Sequence, residues 1–123
     1  MNPVEYLDLE DLLGLTRLLG AGPVRDVGLL DSAAARPRSQ VFGRDAYETL
    51  PLKAAALLHS LVGHHALVDG NERLGWLATV VFLDLNGAAP GLDDESAFAL
   101  VVDVAAGSVD VGRIAARLDV VAR

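Results

Sequence analysis

The chain has 123 residues, with 10 Lys and Arg against 17 Asp and Glu, a formal net charge of −7 and 52 % hydrophobic content. These values exclude intrinsic disorder, a two-domain enzyme with a separate cofactor domain, and direct binding to nucleic acid or anionic membranes as the main task. The absence of cysteine removes disulfides, thiolate metal sites and a Cys nucleophile, and 5 % aromatics are too few for a base-stacking platform.

Met1-Asn2-Pro3-Val4-Glu5 has neither a basic n-region nor an apolar h-region, and the longest apolar runs, such as Leu77–Leu83, are too short to span a bilayer. No signal peptide and a cytoplasmic location are therefore expected. Residues 4–19 place Tyr6, Leu9, Leu12, Leu13 and Leu19 at steps of three and four, which predicts an amphipathic helix stopped at Gly20-Ala21-Gly22-Pro23. Ala33, Ala34 and Ala35 support a second helix over 28–36, ended by Pro37. Residues 37–48 break the rhythm, and Gln40-Val41-Phe42 suit a short strand or hairpin arm. Arg36, Arg38 and Arg44 fall in or beside this break with no acid between them. On spacing alone they form a solvated basic loop.

A third helix over 52–63, opened by Thr49 or Leu50, is apolar on most faces and is expected to be buried at the centre of the fold. A fourth, over 72–85, is also apolar almost all round, with Trp76, Leu77, Val80 and Leu83 expected in the core. Asp93-Asp94-Glu95 supply cap and first-turn carboxylates for a fifth helix to Ala106, and a sixth is expected over 111–122. The prediction is an all-α single domain spanning residues 1–123, about six helices packed around a buried central one.

Between the two central helices lies a polar break, His64-His65-Ala66-Leu67-Val68-Asp69-Gly70-Asn71-Glu72-Arg73. Free N–H groups at a helix start attract an anion, and glycine lets the backbone approach it closely. Arg73, inside the first turn, has the fork geometry for two phosphate oxygens. Asp69 suits Mg²⁺, which binds through one or two carboxylates plus substrate phosphates. A neutral imidazole at His65 suits removal of a hydroxyl proton. His59 and His64 are five apart and share no helix face well, so they are expected at the core edge and not as a zinc pair.

His65-x-x-x-Asp69-Gly70-Asn71-x-Arg73 resembles the signature loop of the Fic/Doc superfamily, His-x-Phe-x-(Asp/Glu)-(Gly/Ala)-Asn-(Gly/Lys)-Arg. The short all-α layout is similar to the Doc, or death-on-curing, branch, as are Phe42-Gly43-x-Asp45-Ala46-Tyr47 and Leu74–Asn86; the similarity runs from Val27 to Asn86. Leu67 stands where the family has Phe, a conservative change for a residue that buries the loop. The resemblance implies a Fic-like fold with a short flap before the central helix. It further implies His65 as general base, Asp69 as Mg²⁺ ligand, and Gly70, Asn71, Glu72 and Arg73 around the nucleotide phosphates. The flap, with Arg38, Gln40, Val41 and Phe42, is implied to dock the target segment.

Doc members are kinases that move the γ-phosphate of ATP to a threonine of elongation factor Tu and block translation, as toxins of type II toxin–antitoxin pairs. The resemblance therefore implies Mg²⁺ and ATP as cofactor and substrate. It implies a separate Phd-like antitoxin as partner, because no Ser/Thr-x-x-x-Glu inhibitory motif is present. Glu72 and Trp76 stand where AMP-transferring members carry Gly and Arg, and Glu72 stands where Doc members carry Lys. A carboxylate about 5 Å from one phosphate charge, at an effective dielectric near 20, repels it by roughly 3 kcal/mol. Glu72 either turns outward in a capping role, helps hold Mg²⁺, or opposes the nucleotide. Two alternatives follow: an AMP or NMP transferase acting on a protein hydroxyl, and a silenced antitoxin-binding module.

Overall fold

The computed structural model describes residues 3–123. Met1 and Asn2, part of the stretch read for a leader, lie outside the described residues. Six helices are present: α1 (Leu9–Leu19), α2 (Val27–Ala35), α3 (Leu50–Gly63), α4 (Asn71–Leu85), α5 (Asp94–Ala105) and α6 (Val111–Leu118). A 3₁₀ turn, Arg36–Arg38, follows α2. Strands β1 (Gln40–Val41) and β2 (Arg44–Asp45) form an antiparallel hairpin, and β3 (Ala88–Ala89) pairs antiparallel with β4 (Val121–Ala122). The all-α expectation holds, with strands of two residues only.

Local chemistry explains the helix starts. Asp8, Asp26, Thr49, Asp93 and Asp110 each accept a hydrogen bond from a first-turn N–H, capping α1, α2, α3, α5 and α6. α4 begins at Gly70 and has no side-chain cap. Helix α3 is the hub, packed against α4, α6, α5, α2 and the 3₁₀ turn. Its alanines keep it slim, and Gly75 of α4 brings the two helices close: a Cβ there would lie 2.7 Å from Val62 Cγ2. Leu57, Leu58, Leu61, Leu74, Phe82, Leu83, Leu100 and Ile114 fill the core. No helix of the described residues is long and apolar enough to cross a membrane.

Two expected boundaries move. The first helix starts at Leu9, not residue 4, because Asp8 and Asp11 form a reciprocal capping box. Tyr6 and Leu7 reach the core from extended backbone instead, Tyr6 stacking on Phe82 at 6.1 Å between ring centres. The last helix stops at Leu118 and not at Ala122, because Asp119 turns left-handed (φ 49°) and Val121-Ala122 pair with Ala88-Ala89.

The arginine-rich segment is held to the core by polar contacts. Arg36 Nε donates to the Tyr47 hydroxyl (2.8 Å), and its Nη1 lies 2.9 Å from Ser60 Oγ and 2.8 Å from His59 Nδ1. Arginine only donates, so His59 Nδ1 accepts and the ring is neutral. Arg38 lies over the Tyr6 ring, 5.2 Å from its centre. Only 2 % of the Lys53 side chain is exposed, and its Nζ meets Asp45 Oδ2 at 3.1 Å, tying the hairpin to α3. Burial draws the Lys53 pKa down, but Tyr6 and Asp45 together hold it above the ordinary lysine value.

Asp45→Ala is expected to lower the urea midpoint more than Lys53→Met does, because the first leaves a buried ammonium without its counter-charge and the second removes the charge itself. Burial also lowers the His59 pKa, with repulsion from Arg36 and His64 adding to it and Asp110 opposing. The unfolded chain then binds a proton that the folded chain refuses. Stability is therefore complete above about pH 6.5, the ordinary histidine pKa, and falls as the pH drops below it. Urea midpoints at successive pH values should show this fall, reduced in His59→Gln.

Candidate active site

The site is built on residues 64–70, the connection between α3 and α4. Ala66 and Leu67 are buried, so their backbone groups need partners. Asn71 meets both needs of Leu67: its Oδ1 accepts from the Leu67 N–H and its Nδ2 donates to the Leu67 carbonyl, each at 2.9 Å. A second strip, residues 22–26, supplies the rest. Gly22 N–H donates to the Asp69 carbonyl (2.8 Å), Val68 N–H to the Pro23 carbonyl (2.9 Å), and the Arg25 and Asp26 N–H groups to the Ala66 carbonyl (2.8 and 3.0 Å). The Arg25 guanidinium adds two donors, Nε and Nη2, to the His65 carbonyl.

Held in this way, the loop turns its polar side chains outward. His65 has φ 53°, a left-handed conformation that costs a non-glycine residue about 1–3 kcal/mol. His65, Asp69, Gly70, Asn71, Glu72 and Arg73 line one cavity of about 240 Å³, with Val62 and Val68. All six residues expected at the catalytic and phosphate-binding site thus share one pocket. Gly70 has φ 91° and opens α4 without a cap, leaving the first-turn N–H groups of α4 without a side-chain acceptor. Arg73 is half exposed; its Nη2 lies 3.6 Å from Asp69 Oδ2 and its Nη1 donates to the Leu19 carbonyl at 3.4 Å.

The Asn71 side chain is occupied in lacing the loop, its amide bonded to both backbone groups of Leu67. The capping role considered for Glu72 is not used, since no side chain caps α4. Glu72 is exposed and lines the polar pocket and also an adjoining groove of about 560 Å³. The groove runs between α4 and α5, with Leu19 at the end of α1 and with Trp76, Leu77, Val80 and Phe98 on its walls. This corrects one expectation: of Trp76, Leu77, Val80 and Leu83, only Leu83 is fully buried, and the other three face the groove.

Asp69 is one of two exposed acidic residues of the pocket, with Glu72, and its carboxylate lies 3.6 Å from Arg73 Nη2. Mg²⁺ held by one carboxylate, water and substrate phosphates needs no protein cage, so these residues fit that ion.

Among the flap residues, Gln40 and Val41 form β1, and Phe42 with Gly43 makes the tip (φ 53° and 78°), both positive as a type I′ turn requires. Phe42 is fully exposed. Arg38 packs on Tyr6, and none of the four lines the polar pocket. Sequence reasoning missed Arg25 and the 22–26 strip. Gly22-Pro23 was legible as a helix stop, but nothing local marks a stop as the partner of a loop about forty residues away.

A Cβ at Gly70 would lie 2.5 Å from the Ala21 Cβ and 3.0 Å from Arg73 Nη2. Gly70→Ala is therefore expected to cost about 1–3 kcal/mol from backbone strain alone, read as a lower urea midpoint.

The Fic/DOC family model matches residues 6–83. The chain is also similar to "Toxin Doc" of Mycolicibacterium smegmatis, 50 % identical over 118 residues that cover 93 % of this chain and 91 % of the relative. On both counts, the chain belongs to the Fic/DOC family.

Proposed function

We propose that this chain is a Doc-type toxin that transfers the γ-phosphate of Mg·ATP to a hydroxyl, a threonine of elongation factor Tu, and so blocks translation. The observation that carries the reading is the convergence of His65, Asp69, Gly70 and Arg73 on one pocket at an uncapped helix N-terminus. The name of the M. smegmatis relative, Toxin Doc, supports the toxin assignment.

In this reading the nucleotide phosphates meet the free N–H groups and positive dipole end of α4. Arg73 forks two phosphate oxygens, and Gly70 lets the backbone close on them. Asp69 would hold Mg²⁺ together with the phosphates, and the ion when bound would supply positive charge against the phosphate oxygens. The target hydroxyl oxygen forms a bond to the γ-phosphorus as the bond from that phosphorus to the β-bridging oxygen breaks. His65 takes the hydroxyl proton, and ADP leaves with the electron pair of the broken bond. The hairpin tip, with Phe42 standing free of the core, offers an apolar contact to the target segment.

A type II toxin needs a cognate antitoxin, and the apolar groove suits one. It shares Glu72 and Arg73 with the polar pocket, and Phe98 on its wall is 73 % exposed. A Phd-like antitoxin segment seated there covers the nucleotide site. Glu72 favours one second reading, an antitoxin-binding module with silenced transfer, because its carboxylate lines the phosphate pocket. AMP or NMP transfer is the other alternative at the same hydroxyl.

The test is a pair of transfer assays on the purified chain with Mg²⁺ and elongation factor Tu, one with γ-labelled and one with α-labelled ATP. Label from the γ position alone is expected, and label from the α position would make the chain an AMP transferase. His65→Ala and Arg73→Ala are each expected to lower transfer by at least about a hundredfold and to abolish toxicity. Full activity in both variants would sink the proposal. Glu72→Lys is expected to lower the KM for ATP by at least about tenfold; silence at every ATP concentration in both forms would favour another target.

A further inference from the structure

His65 presents two features that ordinarily conflict. It is exposed on a connection between helices, yet it is held at φ 53°, where a residue with a Cβ rarely stays unless its surroundings insist. The constraint comes from one side. The Ala66 carbonyl accepts from two N–H groups, those of Arg25 and Asp26. The His65 carbonyl accepts from both Nε (3.1 Å) and Nη2 of the Arg25 guanidinium. Two successive carbonyls are thus fixed by two successive residues, and the one belonging to His65 is fixed by a charged, planar fork.

We propose that Arg25 is a positioning residue for His65: by gripping the His65 carbonyl from Nε and Nη2 it locks the backbone that aims the imidazole into the polar pocket. Arg25 does not line that pocket, so it acts through His65 and not on substrate. A planar fork meets one carbonyl with two donors in a fixed orientation, which a single rotatable ammonium cannot reproduce. Release of the His65 carbonyl would free the φ and ψ of His65 and with them the direction of the Cα–Cβ bond that carries the ring, and the remaining anchors of the loop, at Ala66, Leu67, Val68 and Asp69, lie beyond that residue. This inference rests on His65 as the general base, and the test separates the two.

The full chain, labelled with ¹⁵N and with ¹³C at histidine, is compared as wild type, Arg25→Ala and Arg25→Lys by NMR and by transfer from γ-labelled ATP to elongation factor Tu. In Arg25→Ala the His65 ring and the His65 and Ala66 amide signals are expected to shift and broaden, while those of Asn71 and Gly22 stay. Its kcat falls by at least about tenfold with the KM for ATP within twofold, since the phosphate contacts are untouched. Arg25→Lys is intermediate, and added guanidinium ion at millimolar concentration partly restores Arg25→Ala.

Unchanged His65 signals in Arg25→Ala would overturn the proposal. So would a loss of activity that merely tracks the folded fraction measured by circular dichroism. If Arg25→Ala does not fold, Arg25→Lys carries the same readouts. If the wild type transfers no label to elongation factor Tu, the NMR comparison alone decides the role of Arg25.

Discussion

The pairing of residues 22–26 with residues 65–69 is the constraint on which the rest of the site depends. A connection between two buried helices runs through the interior at Ala66 and Leu67, where an unpaired carbonyl or N–H costs on the order of a hydrogen bond. The strip after α1 and the Asn71 amide together satisfy these groups. Because that work is done from below, the outward face of the loop is left to exposed side chains such as His65 and Asp69. The same arrangement explains why α4 dispenses with a cap. Gly70 sits against Ala21, too close for a side chain, so the N–H groups of the first turn keep their electrostatic pull for a ligand.

Helix α3 shows a second division of labour. Its apolar faces meet four other helices, and its few polar side chains are spent on the segment that precedes it. Lys53 reaches Asp45 of the hairpin, while His59 and Ser60 meet Arg36 at the start of the 3₁₀ turn. The hairpin has only two residues per strand and would not hold its place alone. These contacts carry it, and they leave Phe42 at the tip in a left-handed conformation with nothing packed on it. The type I′ turn itself asks for the positive φ at Phe42, so the turn, and not packing of the side chain, sets that conformation.

How far the sequence could be read follows from how local each signal is. Asp26, Thr49, Asp93 and Asp110 cap in place, and α3 shows its burial by composition, so helix number and order were legible. The signature loop was legible because its chemistry lies within nine residues, from His65 to Arg73. Tyr6 was misassigned because a three-four spacing of apolar residues is satisfied equally by an extended segment lying across the core. Val121 and Ala122 leave α6 for a strand whose partner lies more than thirty residues earlier. Trp76 was read as core because an apolar stripe does not say whether a neighbouring helix covers it; α5 stands far enough away to leave a groove. Arg36 and Arg38 were legible as basic, but only the fold shows Arg36 turned onto Tyr47 and the still exposed Arg38 lying over Tyr6.

Glu72 is where magnitude decides. At 5 Å and an effective dielectric near 20, its repulsion of one phosphate charge is roughly 3 kcal/mol, and in bulk water it falls below about 1 kcal/mol. The carboxylate is exposed and makes no cap, so solvent pulls the value toward the lower figure. The next residue, Arg73, brings the opposite charge to the same cavity. The repulsion also acts on the phosphates before reaction and at the transition state alike, since the total charge hardly changes. Such uniform opposition raises the KM and leaves kcat alone. Under the proposed function, Glu72 then tunes how much nucleotide the pocket needs, while the ability to react, once it is filled, rests on His65 and on the backbone proposed to aim it.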